Sequence, residues 1–207
     1  MQIHDIGEHR LVLAELGQDD CSGVLDRRVH IVYNAPPNPD TINWWRGYKK
    51  VSYTYQDFLN SLFALYDQAD AEEYYIECGK IGPAVLEYFT SRGFTIQTGQ
   101  VIYSAPLRGT GSGLAKKRTP YTLLAAAKAP LSLPDGVHTK TGIYSHELLA
   151  DILSRRQPGE TVFDPCIGKG LALRVAMARS MQCVGIESSE KRLQCCIEYA
   201  EKGAEQC

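Results

Sequence analysis

Thr161–Gly170 reads TVFDPCIGKG. A short apolar run ends in an acid and a proline, turns through two glycines, and leads into a helical pattern at Lys169–Ser180. A strand, a glycine turn and a helix in that order form the first half of a parallel α/β unit. Glycine suits the turn because a Cβ would keep the backbone away from a ligand. The next apolar run, Gln182–Glu187 (QCVGIE), ends in Glu187, whose carboxylate can accept hydrogen bonds from both hydroxyls of a ribose. The step from Gly170 to Glu187 (187 − 170 = 17 residues) is close to the roughly 20-residue offset of nucleoside-binding α/β units. The segment is not a P-loop, because no Ser or Thr follows a Gly-Lys pair, and Leu173 stands where a dinucleotide fingerprint needs a third small residue. A tight strand–helix turn without a ligand remains open at this point.

Working outward, apolar runs bounded by turn residues predict strands at Arg10–Glu15, Val29–Tyr33 and Glu73–Cys78, and a late antiparallel hairpin from Phe94–Ser104 and Tyr121–Lys128. Helical spacing predicts helices over Tyr55–Ala69, Ile81–Arg92, Ser145–Arg156, Lys169–Ser180 and Ser189–Lys202, with Ser145 as an N-cap. Ala35–Lys50, with its prolines and two tryptophans, and the basic segment Arg108–Arg118 read as loops. Strands alternating with helices favour a mostly parallel sheet covered on both faces. No linker separates two cores, so residues 1–207 are expected to form one domain, with a catalytic half at about 1–130 and a cofactor half at about 136–207.

The 207 residues suffice for one α/β core. Hydrophobic residues at 44% and charged residues at 22% are ordinary for a globular protein. No run approaches the roughly 18 apolar residues of a membrane helix, and MQIHDIGEHR has no apolar signal region, so no membrane partner and a cytoplasmic location are expected. The seven cysteines form no CxxC pair and no zinc-spaced cluster, which predicts reduced thiols and no metal. A net charge of −2 argues against a large non-specific nucleic-acid surface and leaves room for a local basic patch.

Asp164-Pro-Cys-Ile-Gly-Lys-Gly resembles the Asp-Pro-Phe-x-Gly-x-Gly motif of S-adenosylmethionine-dependent DNA amino-methyltransferases. His138–Leu149 resembles the segment before that motif in the family, which covers the methionine moiety. The resemblance implies a Rossmann-like methyltransferase fold with S-adenosyl-L-methionine as cofactor. It places Asp164, Cys166, Gly168, Gly170 and Glu187 at the cofactor. In the permuted β-class of this family the catalytic motif precedes the cofactor motif, follows a hydrophobic strand, and reads Asp/Asn/Ser-Pro-Pro-aromatic. Here VHIVY runs into Asn34-Ala35-Pro36-Pro37. The resemblance implies that Asn34 Oδ1 and the Ala35 carbonyl accept hydrogen bonds from the target amine, exposing its lone pair with no titrating base. Ala35 replaces the first proline, and Pro37 stands where an aromatic stacks on a flipped base. Tyr33, Trp44 and Trp45 are the candidates to supply that face. HRLVLAEL resembles the family's strand ending in Gly-Asp, with Ala14 and Glu15 in those places and Glu15 near the adenine.

Thr41–Lys50 mixes Trp44 and Trp45 with Arg46, Lys49 and Lys50, a pattern that suits bases and phosphates as well as it suits a loop anchor. The basic segment 108–118 occupies the place of a target-recognition insert in larger relatives. The favoured expectation is methyl transfer to an exocyclic amine, adenine N6 in DNA before cytosine N4, with a homodimer left open. The rivals are a catalytically silent binding protein of the same fold and a methyltransferase for RNA or a small molecule.

Overall fold

The computed structural model describes residues 1–79, 82–103, 121–129, 139–143 and 145–203. In chain order the elements are β1 (Gln2–Ile6), β2 (His9–Leu13), β3 (Ile31–Asn34), α1 (Pro39–Tyr48), α2 (Tyr55–Ala69), β4 (Glu73–Cys78), α3 (Gly82–Ser91), β5 (Thr95–Tyr103), β6 (Tyr121–Ala127), β7 (Thr139–Ile143), α4 (Ser145–Leu153), β8 (Thr161–Asp164), α5 (Leu171–Met177), β9 (Gln182–Glu187) and α6 (Glu190–Lys202).

The nine strands form one sheet in the order β1-β2-β9-β8-β3-β4-β6-β5-β7. The five consecutive strands β2, β9, β8, β3 and β4 are mutually parallel. Their C-terminal ends therefore lie along one edge. The expected late hairpin is present, with β6 antiparallel to both β5 and β4. All four residues of β3 and of β8 are buried, as expected for strands covered on both faces.

The period-two alternation of the strands feeds two cores, one on each face. Val32, Tyr74, Phe163 and Val184 join Phe58, Leu62 and Leu65 of α2 and Phe89 of α3. Ile31, Tyr75, Val162 and Cys183 join Leu149 of α4, Leu173 of α5 and Leu193 of α6 on the other side. From β8 the chain passes through α5 to β9, and from β3 it passes through α1 and α2 to β4. These connections leave in opposite directions along the sheet, so a crevice opens between the ends of β8 and β3, where ligands bind in doubly wound sheets.

Four elements differ from the expectation. Ala35–Lys50 is not wholly loop, since Pro39–Tyr48 is helix α1. Its start is strongly specified: the Asn38 side chain accepts from the Thr41 amide at 2.9 Å, Pro39 follows, and Asp40 lies in the first turn. Strand β1 adds an antiparallel edge to β2. Within the segment beginning at His138, residues 139–143 form β7, parallel to β5. Helix α4 begins at Ser145 itself, which places the expected cap residue inside the helix. The basic segment 108–118 lies outside the described residues. Among the described residues, no helix is long and apolar enough to cross a membrane.

Candidate active site

A cavity of about 610 Å³ opens at the C-terminal edge of the parallel strands, a size that suits a small-molecule ligand. Ala14 and Leu16 border it beyond β2, Ala35 and Pro37 beyond β3, and Pro165, Cys166 and Gly168 beyond β8. Ile186, Glu187 and Ser188 close the side at β9. Helix α1 covers it with Asp40, Thr41, Trp44 and Trp45, and Tyr53, Phe58 and Arg192 complete the wall.

The turn after β8 is held by its own backbone. Asp164 is buried, and its Oδ1 accepts from the Cys166 amide at 3.0 Å. The Ile167 amide donates to the Ile186 carbonyl at 2.9 Å, tying the turn to β9. Gly168 has φ +58° and borders the cavity, where an added Cβ would meet nothing closer than the Cys166 carbonyl at 3.8 Å. Gly170, with φ +80°, caps α5 instead of lining the cavity. Its Cβ would stand 2.9 Å from Cys196 Sγ, so this glycine serves the contact with α6. A third glycine carries a role that the sequence reading did not single out. A Cβ on Gly185 would lie 2.3 Å from Ile167 Cδ1 and 3.1 Å from its Cβ, so the bare strand at Gly185 seats the Ile167 side chain.

The acids divide into buried support and cavity wall. Burial raises the Asp164 carboxyl to about 7, with the charges of Glu187 and Glu77 adding and the Cys166 amide opposing. Desolvation also pushes the Cys166 thiol well above its usual range, with Asp164 and Glu187 adding. That thiol is no nucleophile near neutral pH. Glu187 borders the cavity and accepts from the Ser189 amide at 2.8 Å through Oε1, while Oε2 makes no hydrogen bond among the described residues. Glu15 sits behind the wall, where it accepts from the Tyr53 hydroxyl at 3.2 Å and its amide donates to Asp19 at 2.8 Å.

Asn34 ends β3 beside β8. It is completely buried, and its Nδ2 donates to the Tyr66 hydroxyl at 2.9 Å. Its Oδ1 is buried without a hydrogen-bond partner among the described residues. Burial pushes the Tyr66 phenol well above its usual range, so it stays a neutral hydroxyl. The expectation that the Asn34 side chain faces the ligand space is corrected. The cavity is bordered by its neighbours Ala35 and Pro37, while Asn34 lies in the core against α2. A buried, unpaired carbonyl oxygen is costly, on the order of 1–3 kcal/mol. Such a group marks a place where a donor is missing.

Tyr33 is also corrected as a stacking residue. Strand alternation turns it to the opposite face, into the core with α4 and α5, where its hydroxyl donates to Glu77. Trp44 and Trp45 do border the cavity, and Trp45 packs partly into the core. Arg46, Lys49 and Lys50 are exposed at the C-terminal end of α1 and do not line the cavity, and Lys49 lies 4.7 Å from the Trp45 ring centre. Tyr53, Phe58, Tyr66 and Arg192 went unnoticed in the sequence. Phe58 and Tyr66 belong to the buried stripe of α2, and only the Tyr66 hydroxyl, polar within an apolar stripe, offers a signal.

No family model matches the chain, and no curated protein matches it by sequence. Solved structures do match by fold. The M1.HpyAVI–SAM complex is 17% identical with a TM-score of 0.59, covering 83% of this chain and 88% of its own. TTHA0409 of Thermus thermophilus, a candidate DNA modification methylase solved with S-adenosyl-L-methionine, is 15% identical with a TM-score of 0.63, covering 93% of each chain. The cytosine-N4-specific PvuII DNA methyltransferase is 10% identical with a TM-score of 0.64, covering 98% of this chain and 89% of its own. The chain therefore has a Rossmann-like α/β methyltransferase fold with a mostly parallel sheet.

Proposed function

We propose that this chain transfers a methyl group from S-adenosyl-L-methionine to an exocyclic amine of a nucleobase, adenine N6 in DNA first and cytosine N4 second. One observation carries the reading. A buried amide oxygen with no donor among the described residues, Asn34 Oδ1, ends the strand beside the glycine turn that borders the cavity. The motif order supports a permuted β-class arrangement within one domain, since β3 precedes β8 in the chain yet lies beside it in the sheet.

The residues present fit the cofactor. Gly168 leaves the turn bare where a side chain would intrude, and Glu187 keeps one carboxylate oxygen for ribose hydroxyls. Leu16, Trp45, Tyr53 and Phe58 offer apolar and aromatic walls to an adenine. When bound, S-adenosyl-L-methionine supplies an electrophilic methyl group. The Ala35–Pro37 wall, which here closes Asn34 off from the cavity, must part on substrate binding; Asn34 Oδ1 and the Ala35 carbonyl then hold the amine through its two hydrogens and turn its lone pair outward. Tyr66 fixes the Asn34 amide, so Oδ1 rather than Nδ2 meets the amine. The extra proton of the methylated amine passes to water, because neither acceptor titrates. Two fold neighbours solved with S-adenosyl-L-methionine, and a third named as a cytosine-N4-specific DNA methyltransferase, support this reading.

A second reading has its own observation. Asn34 is sealed from the cavity and Pro37 gives no aromatic face, which suits a silent binding protein of the same fold. Calorimetric titration with S-adenosyl-L-methionine and its demethylated product, then nucleoside analysis of mixed DNA after incubation, separates the two. Binding with N6-methyladenine or N4-methylcytosine supports the enzyme. Binding without any methylated nucleoside supports the silent protein.

A further inference from the structure

Helix α1 buries Ile42 and part of Trp45, so its outward face should be polar. Instead that face carries Trp44, 57% exposed, and Tyr48, 74% exposed. One turn apart, they stack with ring centres 5.0 Å apart and planes 10° from parallel. Among the described residues no other pair of stacked rings is exposed in this way. Arg46, Lys49 and Lys50 surround the C-terminal end of the same helix and make no ion pair among the described residues. Trp44 also borders the cavity, so the stack continues from the cavity mouth onto the surface.

We propose that the Trp44–Tyr48 stack is a platform for unpaired bases, and that this chain takes single-stranded or locally unpaired nucleic acid in preference to an intact duplex. Both faces of a base in a duplex are already stacked, so an exposed flat ring pair gains a partner only from an unpaired one. The surrounding cations complement a phosphate backbone that leaves the platform over Tyr48. The cations of α1 lie at its C-terminal end, and none of them borders the cavity. The strand is thereby oriented, with its base at Trp44 and the cavity and its backbone at Lys49 and Lys50. This deepens the nucleobase reading and rests on it for the base's destination, while the platform itself stands on α1 alone.

Intrinsic tryptophan fluorescence, titrated with a mixed-sequence oligodeoxynucleotide and with its duplex, tests the proposal. An oligoribonucleotide arm separates the two sources of the same base-and-phosphate chemistry. The single strand should bind at least about ten-fold more tightly than the duplex. Trp44→Ala and Tyr48→Ala should each weaken it by about five-fold or more, the range of one lost base stack. Trp44→Phe should retain most of the affinity, and Lys49→Gln with Lys50→Gln should flatten the salt dependence. Unfolding midpoints report whether each variant keeps its fold. A duplex bound as tightly as the single strand, or both alanine variants binding like the parent, overturns the platform. Single-strand binding that depends on Trp44 without methyl transfer to any base removes the enzymatic reading and leaves the platform. Methyl transfer with binding indifferent to both rings does the reverse.

Discussion

The Asn34 amide donates to the Tyr66 hydroxyl at 2.9 Å across the junction of β3 and α2. This bond fixes which end of the Asn34 amide is left over, and the oxygen left over has no partner among the described residues. Removing the hydroxyl alone should therefore change orientation more than packing. Tyr66→Phe leaves Nδ2 unsatisfied as well, at a cost of about 1–3 kcal/mol. Urea unfolding should show that loss. Methyl transfer should fall about ten-fold while cofactor affinity stays unchanged, because the oriented oxygen matters most in the transition state. Unchanged stability and rate would mean that the bond neither orients nor supports Asn34.

Gly168 sits at φ +58° on the cavity wall. Gly168→Leu adds about 1–2 kcal/mol of backbone strain and puts a side chain where the ligand should lie. Circular dichroism should keep the α/β signature, while calorimetry should show cofactor affinity lower by at least about 100-fold. Binding at parental affinity would place the cofactor elsewhere.

Gly185 lies one strand away from the turn and borders no ligand space, yet it seats Ile167. Gly185→Ala forces Ile167 to move, at about 1–3 kcal/mol of overpacking. The displaced turn should also weaken cofactor binding. The double variant Gly185→Ala with Ile167→Val should recover part of both losses, and a thermal melt with a calorimetric titration checks each. Full stability in the single variant would show that Ile167 repacks freely.

Asp164 titrates near 7 in the fold against an ordinary 3.8. Between these values the folded protein holds a proton that the unfolded chain has released. Its contribution to stability is therefore greatest below about 4, declines as pH rises toward about 7, and is flat above that. The slope is at most about 1.4 kcal/mol per pH unit. Urea unfolding at about pH 5 and about pH 8 should show the decline in the parent and a smaller one in Asp164→Asn. An identical decline in both proteins would assign it to other groups.

The sequence carries the sheet well where burial on both faces writes continuous apolar runs. The expected bounds of β4, β8, β9 and α2 are those observed. It misleads at α1, where Asn38-Pro39-Asp40 is a helix start and the neighbouring prolines suggest a loop. Edge strands such as β1 are short and half exposed, so they lack a strong alternation to read. At the site, the DPCIG turn is legible because a positive-φ strand–helix turn demands glycine, and Glu187 because it ends a continuous apolar run. The direction of the Asn34 side chain is not. It depends on Tyr66, 32 residues away, and on which face of β3 meets α2. Tyr33 shows the same limit, since one residue of strand register exchanges the cavity side for the opposite core.

The proposed methyl transfer depends on Asn34 Oδ1 holding the target amine. Single-turnover incorporation of labelled methyl from S-adenosyl-L-methionine into mixed DNA, for the parent and Asn34→Ala, tests it most directly. With the parent, label should appear on adenine N6 or cytosine N4. Asn34→Ala should slow incorporation at least about 100-fold, at a cofactor affinity within about three-fold of the parent, as expected for a hydrogen bond lost mainly from the transition state. Equal rates in the two proteins, or a parent that binds the cofactor and labels no nucleobase, would contradict it.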